Sequence, residues 1–267
     1  MGKKIIVKIL ILIISSFLFY SCSSHKNELQ IKKGISAKIL FQKAITMMKK
    51  HPEKARKYFR EIVQLFPNSS YAPEAKYQIG YSYFKQRGFD NYLMAIQEFR
   101  DFVSLYPSHP LAPQAQYFLA FSYYRMMRKP GRDQDNTKKA LIEFKKLVSM
   151  YPLTMQAKKA KKFIRKCETN LAEHIFLIGH YYYRTKNYHA AKIRFLQIID
   201  KYPNYINRDK IYWYLGQLYL KTKQYKKALD YLNKAATEFK HTKYGYKSLA
   251  FLKKKGDFIR SKIKEEK

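Results

Sequence analysis

One spacing recurs along the chain and constrains its fold more than any other feature. An alanine is followed four positions later by a large apolar residue, and eight positions after that by a proline in four of the five copies. The spacing of four places the alanine and the ring on one face of a helix, and the proline ends that helix because it lacks an amide hydrogen. The copies are Ala55/Phe59/Pro67, Ala95/Phe99/Pro107, Ala140/Phe144/Pro152, Ala191/Phe195/Pro203 and Ala228/Leu232/Lys240.

A second pattern, an aliphatic residue, a small residue and then a tyrosine, precedes four of these copies. A small residue on one helix lets a second helix approach closely, and we expect the alanine of the second helix to fill the other side of that contact. The two patterns together indicate tetratricopeptide (TPR) repeats, which are antiparallel helix pairs of about 34 residues. The four copies are Ile79-Gly80-x2-Tyr83, Leu119-Ala120-x2-Tyr123, Ile178-Gly179-x2-Tyr182 and Leu215-Gly216-x2-Tyr219.

Extra residues mark where the repeats depart from standard length. Repeat 2 has three, which we place between its helices over residues 86–92. Repeat 3 has eight, in a loop over residues 128–137 in which Thr137 is expected to cap the next helix. Fourteen more precede repeat 4 and equal about four helical turns. Residues 155–184 are therefore predicted to form one long helix.

These observations predict an all-α fold, a TPR-type α-solenoid of five helix pairs with a long linking helix between repeats 3 and 4. Ser36 is expected to cap the first helix, and Pro52 to begin the second. The predicted divisions are repeats 1–3 over residues 36–153, the linking helix with repeats 4–5 over residues 154–242, and a C-terminal capping helix and tail over residues 243–267.

Residues 1–21 have the composition of a secretory signal peptide. Lys3, Lys4 and Lys8 supply its charged region, and an apolar run follows over residues 9–18. That run is too short to favour a membrane-spanning helix. We therefore predict that the chain is exported.

The signal ends at a cysteine that is a candidate lipidation site. Ser21 directly before Cys22 is similar to the processing site of bacterial lipoproteins. We predict cleavage before Cys22, acylation of that cysteine with palmitate or related chains, and a lipid-anchored tether over residues 22–35. An ordinary secretory signal, or an uncleaved anchor with a chance cysteine, is the alternative.

The chain is strongly basic, with 54 Lys and Arg against 19 Asp and Glu and a formal net charge of +35. Loss of the three signal lysines lowers this to +32. Such an excess suits nucleic acid, anionic lipid or acidic partners. The lysines are spread along the chain, which favours solvated faces, and an exported chain meets little nucleic acid. We predict no nucleic-acid partner.

No arrangement of catalytic or metal-binding residues stands out. The histidines at 174, 180 and 189 lack the spacing of paired helical metal ligands. Cys167 lies on an apolar helical stripe and is expected in the core. We predict that the protein is not an enzyme and uses neither cofactor nor metal.

These residues together resemble the BamD family of outer-membrane assembly lipoproteins. The resemblance covers residues 36–253 and rests on the lipidation site, the five repeats with aromatic-Pro helix ends, the Arg132-Asp133 insertion and the long helix. Within that helix, Asn170-Leu171-Ala172-Glu173 and Gly179-His180-Tyr181-Tyr182 are similar to the run that precedes repeat 4 in the family. The strong positive charge departs from typical members.

The resemblance implies a non-enzymatic protein anchored by lipid at the periplasmic face of the outer membrane. Its implied partners are a BamA-like barrel protein, other Bam components and unfolded outer-membrane proteins. The client end, aromatic and ending in a carboxylate, is expected in the groove of repeats 1–3. The implied groove residues are Tyr77, Tyr81, Tyr117, Arg125 and Arg132, and the implied BamA contacts are Arg194 and Arg208, both expected to be exposed.

Two other readings stay open at this point. Another periplasmic TPR scaffold shares the repeat patterns, for example one resembling the Tol-associated coordinator YbgF (CpoB) or a pilotin-like lipoprotein. An enzyme or a nucleic-acid binder that uses the basic surface is the alternative from a different class. Co-purified partners distinguish the first, and native localisation distinguishes the second.

Overall fold

The computed structural model describes residues 36–265, and within that range the chain forms eleven helices and no strand. The predicted all-α solenoid is confirmed. The predictions for residues 1–21, Cys22 and the tether fall outside the described range. The helices are α1 (Ala37–Met47), α2 (Pro52–Leu65), α3 (Tyr71–Gln86), α4 (Phe89–Leu105), α5 (Ala112–Arg125), α6 (Asp135–Met150), α7 (Met155–Arg184), α8 (Tyr188–Lys201), α9 (Arg208–Lys221), α10 (Tyr225–Glu238) and α11 (Lys243–Glu265).

Local sequence signals set several helix ends as expected. The Ser36 hydroxyl accepts the amide hydrogen of Ile39 and caps α1. Pro52 occupies the first position of α2, where its missing amide hydrogen costs nothing. The even-numbered helices α2, α4, α6 and α8 each end one residue before the aromatic residue that precedes the proline.

The contact between paired helices differs from the one expected. All five alanines and all five large residues of the first pattern are fully buried. A Cβ atom built on Gly179 would lie 2.8 Å from the Phe195 ring, and one on Gly216 would lie 2.6 Å from Leu232. The small residue therefore faces chiefly the large apolar side chain of the second helix, and the predicted alanine contact occurs at Gly216, where the Ala228 carbonyl oxygen lies 3.5 Å from the added Cβ position.

The helices form two layers. Every pair of helices in substantial contact includes an odd-numbered helix, and α1, α3, α5 and α7 contact one another in succession. The even-numbered helices contact only their odd-numbered neighbours. Because α1, α3, α5 and α7 touch across repeats 1–3, they form the more closely packed layer there, and its free face runs continuously over these repeats.

The long helix α7 joins two halves of the solenoid, with both ends where the sequence predicted them. Its first half packs on α6, where the Phe163 and Phe144 rings stack 5.4 Å apart. Its second half packs on α8 through Gly179 and Phe195. Since α6 and α8 lie along successive halves of α7, the repeats on either side are displaced by about 20 Å along its axis.

The extra residues of repeats 2 and 3 lie differently from the prediction. In repeat 2 they lengthen α3 and α4 to 16 and 17 residues, and only Arg87 and Gly88 separate these helices. In repeat 3, α6 begins at Asp135, so Thr137 lies inside the first turn. Its hydroxyl is buried and donates to the Gln134 side chain at 2.8 Å. Thr137 is therefore not the helix cap.

The core assignment of Cys167 is confirmed, because the residue is fully buried. Burial, together with the neighbouring Glu168 carboxylate, raises the pKa of this thiol to about 12. At the other end of the chain, α11 covers the last pair through Ile259 and through Lys247, whose ammonium lies 4.6 Å from the Trp213 ring. None of the helices of residues 36–265 is long and apolar enough to cross a bilayer.

Substituting Gly179→Ala tests the close approach in repeat 4. The added methyl meets Phe195 and the Arg194 Cβ at 3.0 Å or less. Overpacking costs about 1–3 kcal/mol, against roughly 0.5–1 kcal/mol gained in helix propensity. We expect a lower urea midpoint by circular dichroism.

Gly131→Ala is the matched control, because its methyl would meet only Leu177 at an ordinary 3.9 Å. An unchanged midpoint for Gly179→Ala, or an equal drop in both variants, would show that this contact does not limit the packing.

Candidate peptide-binding groove

Aromatic residues form a second stripe on the first helices of repeats 2 and 3. Tyr77, Tyr81 and Phe84 are spaced at i, i+4 and i+7 on α3, and Tyr117, Phe121 and Tyr124 have the same spacing on α5. This spacing keeps each trio on one helix face. We use the name aromatic ladder for the half-buried rings that meet across α3, α5 and α7, namely Tyr81, Phe84, Tyr117, Phe118, Phe121, Tyr124 and Phe163.

The rings of the ladder contact one another from helix to helix. Phe84 lies 4.7 Å from Phe118 between ring centroids, which joins α3 to α5. Phe121 and Tyr124 each lie 4.9 Å from Phe163, which joins α5 to α7. Pairs at such separations add about 0.5–1.5 kcal/mol beyond the burial of their area. The ladder therefore holds three repeats together while leaving ring surface open.

A groove of about 280 Å³ opens on this ladder, and we call it the aromatic groove. Its floor is made of rings, and its rim carries three cationic side chains and no carboxylate. Arg125 is held in place by Tyr92, whose hydroxyl accepts from its Nε atom at 3.1 Å. The groove is lined by Tyr81, Phe84, Lys85, Arg87, Tyr92, Phe118, Phe121 and Arg125.

The structure places the five groove residues expected from sequence in different surroundings. Tyr81 and Arg125 line the aromatic groove together. Tyr117 stacks 5.6 Å from Phe121, and burial raises its pKa. Tyr77 is only 7% exposed. Arg132 is exposed in the loop before α6 and does not line the groove.

Tyr77 belongs to the core instead of the open face. Its ring packs 5.7 Å from Phe99 and 6.0 Å from Phe102. Burial and then the neighbouring Tyr81 raise the pKa of its hydroxyl, against a hydrogen bond with Gln114 that lowers it. The groove residues that sequence reasoning missed are Phe84, Lys85, Arg87, Tyr92, Phe118 and Phe121.

A second and larger groove of about 700 Å³ lies beside the middle of α7, and we call it the linker groove. It runs between the loop after α5 and the turn between α8 and α9, where the two halves of the solenoid are displaced. Tyr124, Met127, Pro130 and Ile206 supply apolar surface. Lys162, Arg165 and Lys166 of α7 supply positive charge.

Glu173 at the end of this groove ties α7 to repeat 5. Its carboxylate accepts hydrogen bonds from the Tyr205 hydroxyl, from Asn207 at 2.9 Å and from the Lys210 ammonium at 2.9 Å. Burial by itself would raise the pKa of Glu173. The three hydrogen bonds and the Lys210 charge outweigh burial, so the pKa is lowered.

Arg194 and Arg208, the expected docking residues, are half-buried instead of exposed. The Arg194 side chain begins against Gly179 and donates to Gln197 at 3.3 Å. Arg208 donates to the Pro203 carbonyl at 2.9 Å and to the Tyr212 hydroxyl. Both arginines are therefore partly committed to contacts within repeats 4 and 5.

Among residues 36–265, no group of three or more His, Cys, Asp or Glu side chains converges. His180 lies 5.5 Å from the Phe176 ring. Burial, and then the nearby Arg184 and Lys210 charges, lower its pKa.

Paired helices with small residues set against rings, stacked into two layers with an open inner face, define a protein of the tetratricopeptide-repeat class. The chain belongs to the YfiO family, described as outer membrane lipoprotein, whose model matches residues 34–212. A tetratricopeptide-repeat model matches residues 209–241. No curated protein matches the chain.

Solved structures are similar to the chain at low identity. "MamA 41-end from Desulfovibrio magneticus RS-1" is 19% identical over 74% of this chain and 92% of its own, with a TM-score of 0.34. "TPR2AB-domain:pHSP90-complex of yeast Sti1" is 15% identical over 86% and 91%, with a TM-score of 0.41. Membership of the YfiO family, with its TPR repeats, supports a non-catalytic interaction scaffold located at the outer membrane.

Glu173→Gln tests the tie between α7 and repeat 5. Hydrogen bonds to a charged group are worth about 1.5–3 kcal/mol, so we expect a clearly lower urea midpoint at pH 7. Because the folded pKa of Glu173 is lowered, the carboxylate's contribution is present above its unfolded pKa of about 4.3 and is lost as pH falls through the folded pKa.

The difference between wild type and Glu173→Gln should therefore shrink on acidification. Glu265→Gln is the control, because Glu265 is exposed and pairs only with Lys262 three residues away. A difference that stays constant from pH 7 down to acid unfolding would contradict this assignment.

Proposed function

We propose that this protein is a periplasmic scaffold of the β-barrel assembly machinery that is anchored to the outer membrane. In this role it holds the unfolded ends of outer-membrane proteins and docks on the periplasmic part of a BamA-like barrel protein. The observation that carries the proposal is the aromatic groove, in which rings and cations converge on the open face of repeats 2 and 3. Family membership among outer membrane lipoproteins supports the location.

The groove suits the end of an extended chain that carries an aromatic side chain and a free carboxylate. An aromatic ring of the client would stack on Phe118 or Phe121, which keep part of their surface open. The carboxylate would pair with Arg125, since a guanidinium donates two parallel hydrogen bonds to a carboxylate. Lys85 and Arg87 add positive charge at the same rim.

The geometry of Arg125 lowers the cost of such binding. Tyr92 holds the guanidinium at 3.1 Å in the free protein, so less side-chain freedom is lost when the client binds. Immobilising a flexible side chain costs about 0.5–1.5 kcal/mol. Tyr117 and Tyr124 of the ladder would extend the same surface toward α7, whereas Arg132 would contribute long-range attraction from its exposed loop.

Anchoring is proposed to begin with export by the signal at residues 1–21. Cleavage would leave Cys22 as the first residue, with acyl chains that hold the protein in the outer membrane through the tether at residues 22–35. A single acyl chain binds only marginally, so durable anchoring needs more than one. The scaffold would then work without catalysis, cofactor, metal or nucleic acid.

Docking on the BamA-like protein is assigned to repeats 4 and 5. Arg194 and Arg208 keep part of their surface open there, and the neighbouring stretch of α7 exposes Leu177 and Tyr181, four residues apart on one face. An interface that combines arginine with exposed apolar side chains is typical of protein–protein contacts. Other Bam components would bind through the same complex.

Arg125→Gln tests the client groove. The probe is a synthetic ten-residue peptide with alternating aromatic residues and a C-terminal Phe, used as the free acid and as the amide. Loss of one charge-assisted contact predicts about tenfold weaker binding of the free acid, measured by fluorescence anisotropy. The amide should bind wild type and variant equally.

Lys226→Gln is the matched control, since Lys226 is an exposed cation on repeat 5 outside the groove. Equally weakened binding of the free acid in both variants would show that the loss results from the lower net charge alone. Equal binding of the free acid and the amide to wild type would show that the peptide's carboxylate does not contribute to binding.

Purification from native membranes tests the assembly role. We expect a BamA-like protein to co-purify, and Arg194→Gln with Arg208→Gln to lower its yield while Lys54→Gln, which changes an exposed cation on repeat 1, does not. Depletion of the protein should lower the amount of folded barrel proteins in the outer membrane. Co-purification of Tol or secretin components instead, with normal barrel levels, would favour a different periplasmic scaffold.

A further inference from the structure

Four exposed apolar side chains lie on two neighbouring turns at one edge of the solenoid. Leu105 is 63% exposed, Met150 42%, Leu153 100% and Met155 59%. The two turns touch, since the Tyr151 hydroxyl donates to the Pro107 carbonyl at 2.9 Å. The turns therefore present these side chains together, at a place where the repeat packing does not use them.

The start of α7 beside these turns carries dense positive charge. Lys158, Lys159, Lys161 and Lys162 are exposed, and the first turn holds no acidic residue. None of the ion pairs between described residues includes these four lysines. A helix N-terminus already bears partial positive charge, so this cluster attracts an anionic surface.

The chain enters the solenoid at this same edge. Successive helices are antiparallel, so α1, α3, α5 and α7 all begin at the edge where α2, α4 and α6 end. Three steps between contacting helices, at about 8–10 Å each, put the start of α7 on the order of 30 Å from Ser36. The thirteen residues between Cys22 and Ser36 span at most roughly 45 Å when extended.

We propose that this edge rests on the bilayer that holds the lipid anchor. The four apolar side chains enter the interface, and Lys158 and Lys159 face anionic phospholipid headgroups. The assignment rests on the anchor at Cys22 in the proposed function. We name the set Leu105, Met150, Leu153, Met155, Lys158 and Lys159 the membrane edge.

A bilayer fits these features better than a folded partner does. The apolar side chains sit on turns and are flanked by lysines, which is the arrangement of interfacial anchors. Attachment through Cys22 also brings this edge repeatedly to the membrane, because the tether reaches it. A second copy of the chain would instead bring an equally basic surface against it.

The orientation explains why the aromatic groove stays accessible. Lys85, Arg87 and Arg125 lie at the C-terminal ends of α3 and α5, which is the edge opposite the membrane edge. A solenoid that rests on its membrane edge therefore turns the groove toward the periplasm, where unfolded clients arrive. Contact between the membrane edge and the bilayer would therefore set the direction in which the aromatic groove faces.

Bromolipid quenching of the lipidated protein in nanodiscs tests this proposal. Leu153→Cys is labelled with an environment-sensitive fluorophore, since Cys167 is buried with a raised thiol pKa and Cys22 carries lipid. The discs contain phosphatidylethanolamine and phosphatidylglycerol with brominated chains. Fluorescence should fall by about half or more, because interfacial side chains lie within about 5–10 Å of the acyl boundary.

Phe89→Cys is the matched control, since Phe89 is 59% exposed at the opposite edge. Its label should show no quenching. Replacing Lys158 and Lys159 by Gln should lower the quenching at position 153 in anionic discs and leave it unchanged in phosphatidylcholine discs.

The possible results test the membrane edge and the lipid anchor at Cys22 separately. Protein that co-elutes with discs while position 153 is unquenched overturns the membrane edge and leaves the anchor intact. Protein that does not co-elute with discs overturns both. Shielding of position 153 that depends on protein concentration and not on bromine would assign the surface to a second copy of the chain.

Discussion

The contact of a glycine with a large apolar side chain, made in the helix pairs of repeats 2, 4 and 5, is the constraint on which the structure depends. Gly80, Gly179 and Gly216 leave room for Phe99, Phe195 and Leu232, which are fully buried. Because these three pairs are closed in this way, their outer faces are free to stack on the neighbouring pairs. Stability is then close to a sum over repeats and their interfaces, and the free face of the first helices remains available for binding.

That free face has two roles at once. The rings of the aromatic ladder join α3, α5 and α7, and four of them also form the floor of the aromatic groove, namely Tyr81, Phe84, Phe118 and Phe121. Lys85, Arg87 and Arg125, at the C-terminal ends of α3 and α5, make the rim of the groove positively charged. The displacement of the two halves along α7 adds the linker groove, and Glu173 at the end of that groove ties α7 to repeat 5. The same long helix therefore joins the repeats and shapes the surface.

Sequence periodicity predicted much of this fold and less of the site. The bounds of α7 followed from fourteen residues that preserve the helical phase, and the burial of Phe59, Phe99, Phe144 and Phe195 followed from their spacing. The side chain that packs against each glycine could not be predicted in this way. Periodicity shows which face of a helix is buried, and it does not show which residue of the neighbouring helix lies opposite. Tyr77 and Tyr81 lie one turn apart, yet only Tyr81 lines the groove, since α4 covers Tyr77. Phe118 and Phe121 were missed because their stripe runs beside the TPR signature.

The most direct test of the central claim is site-specific photo-crosslinking in living cells, with a benzophenone amino acid in place of Lys85 at the rim of the aromatic groove. The same substitution at Lys226 on repeat 5 serves as the reference position. The account predicts adducts with newly exported outer-membrane proteins at position 85, and few or none at position 226. Equal adducts at both positions, or adducts at position 226 alone, would contradict it.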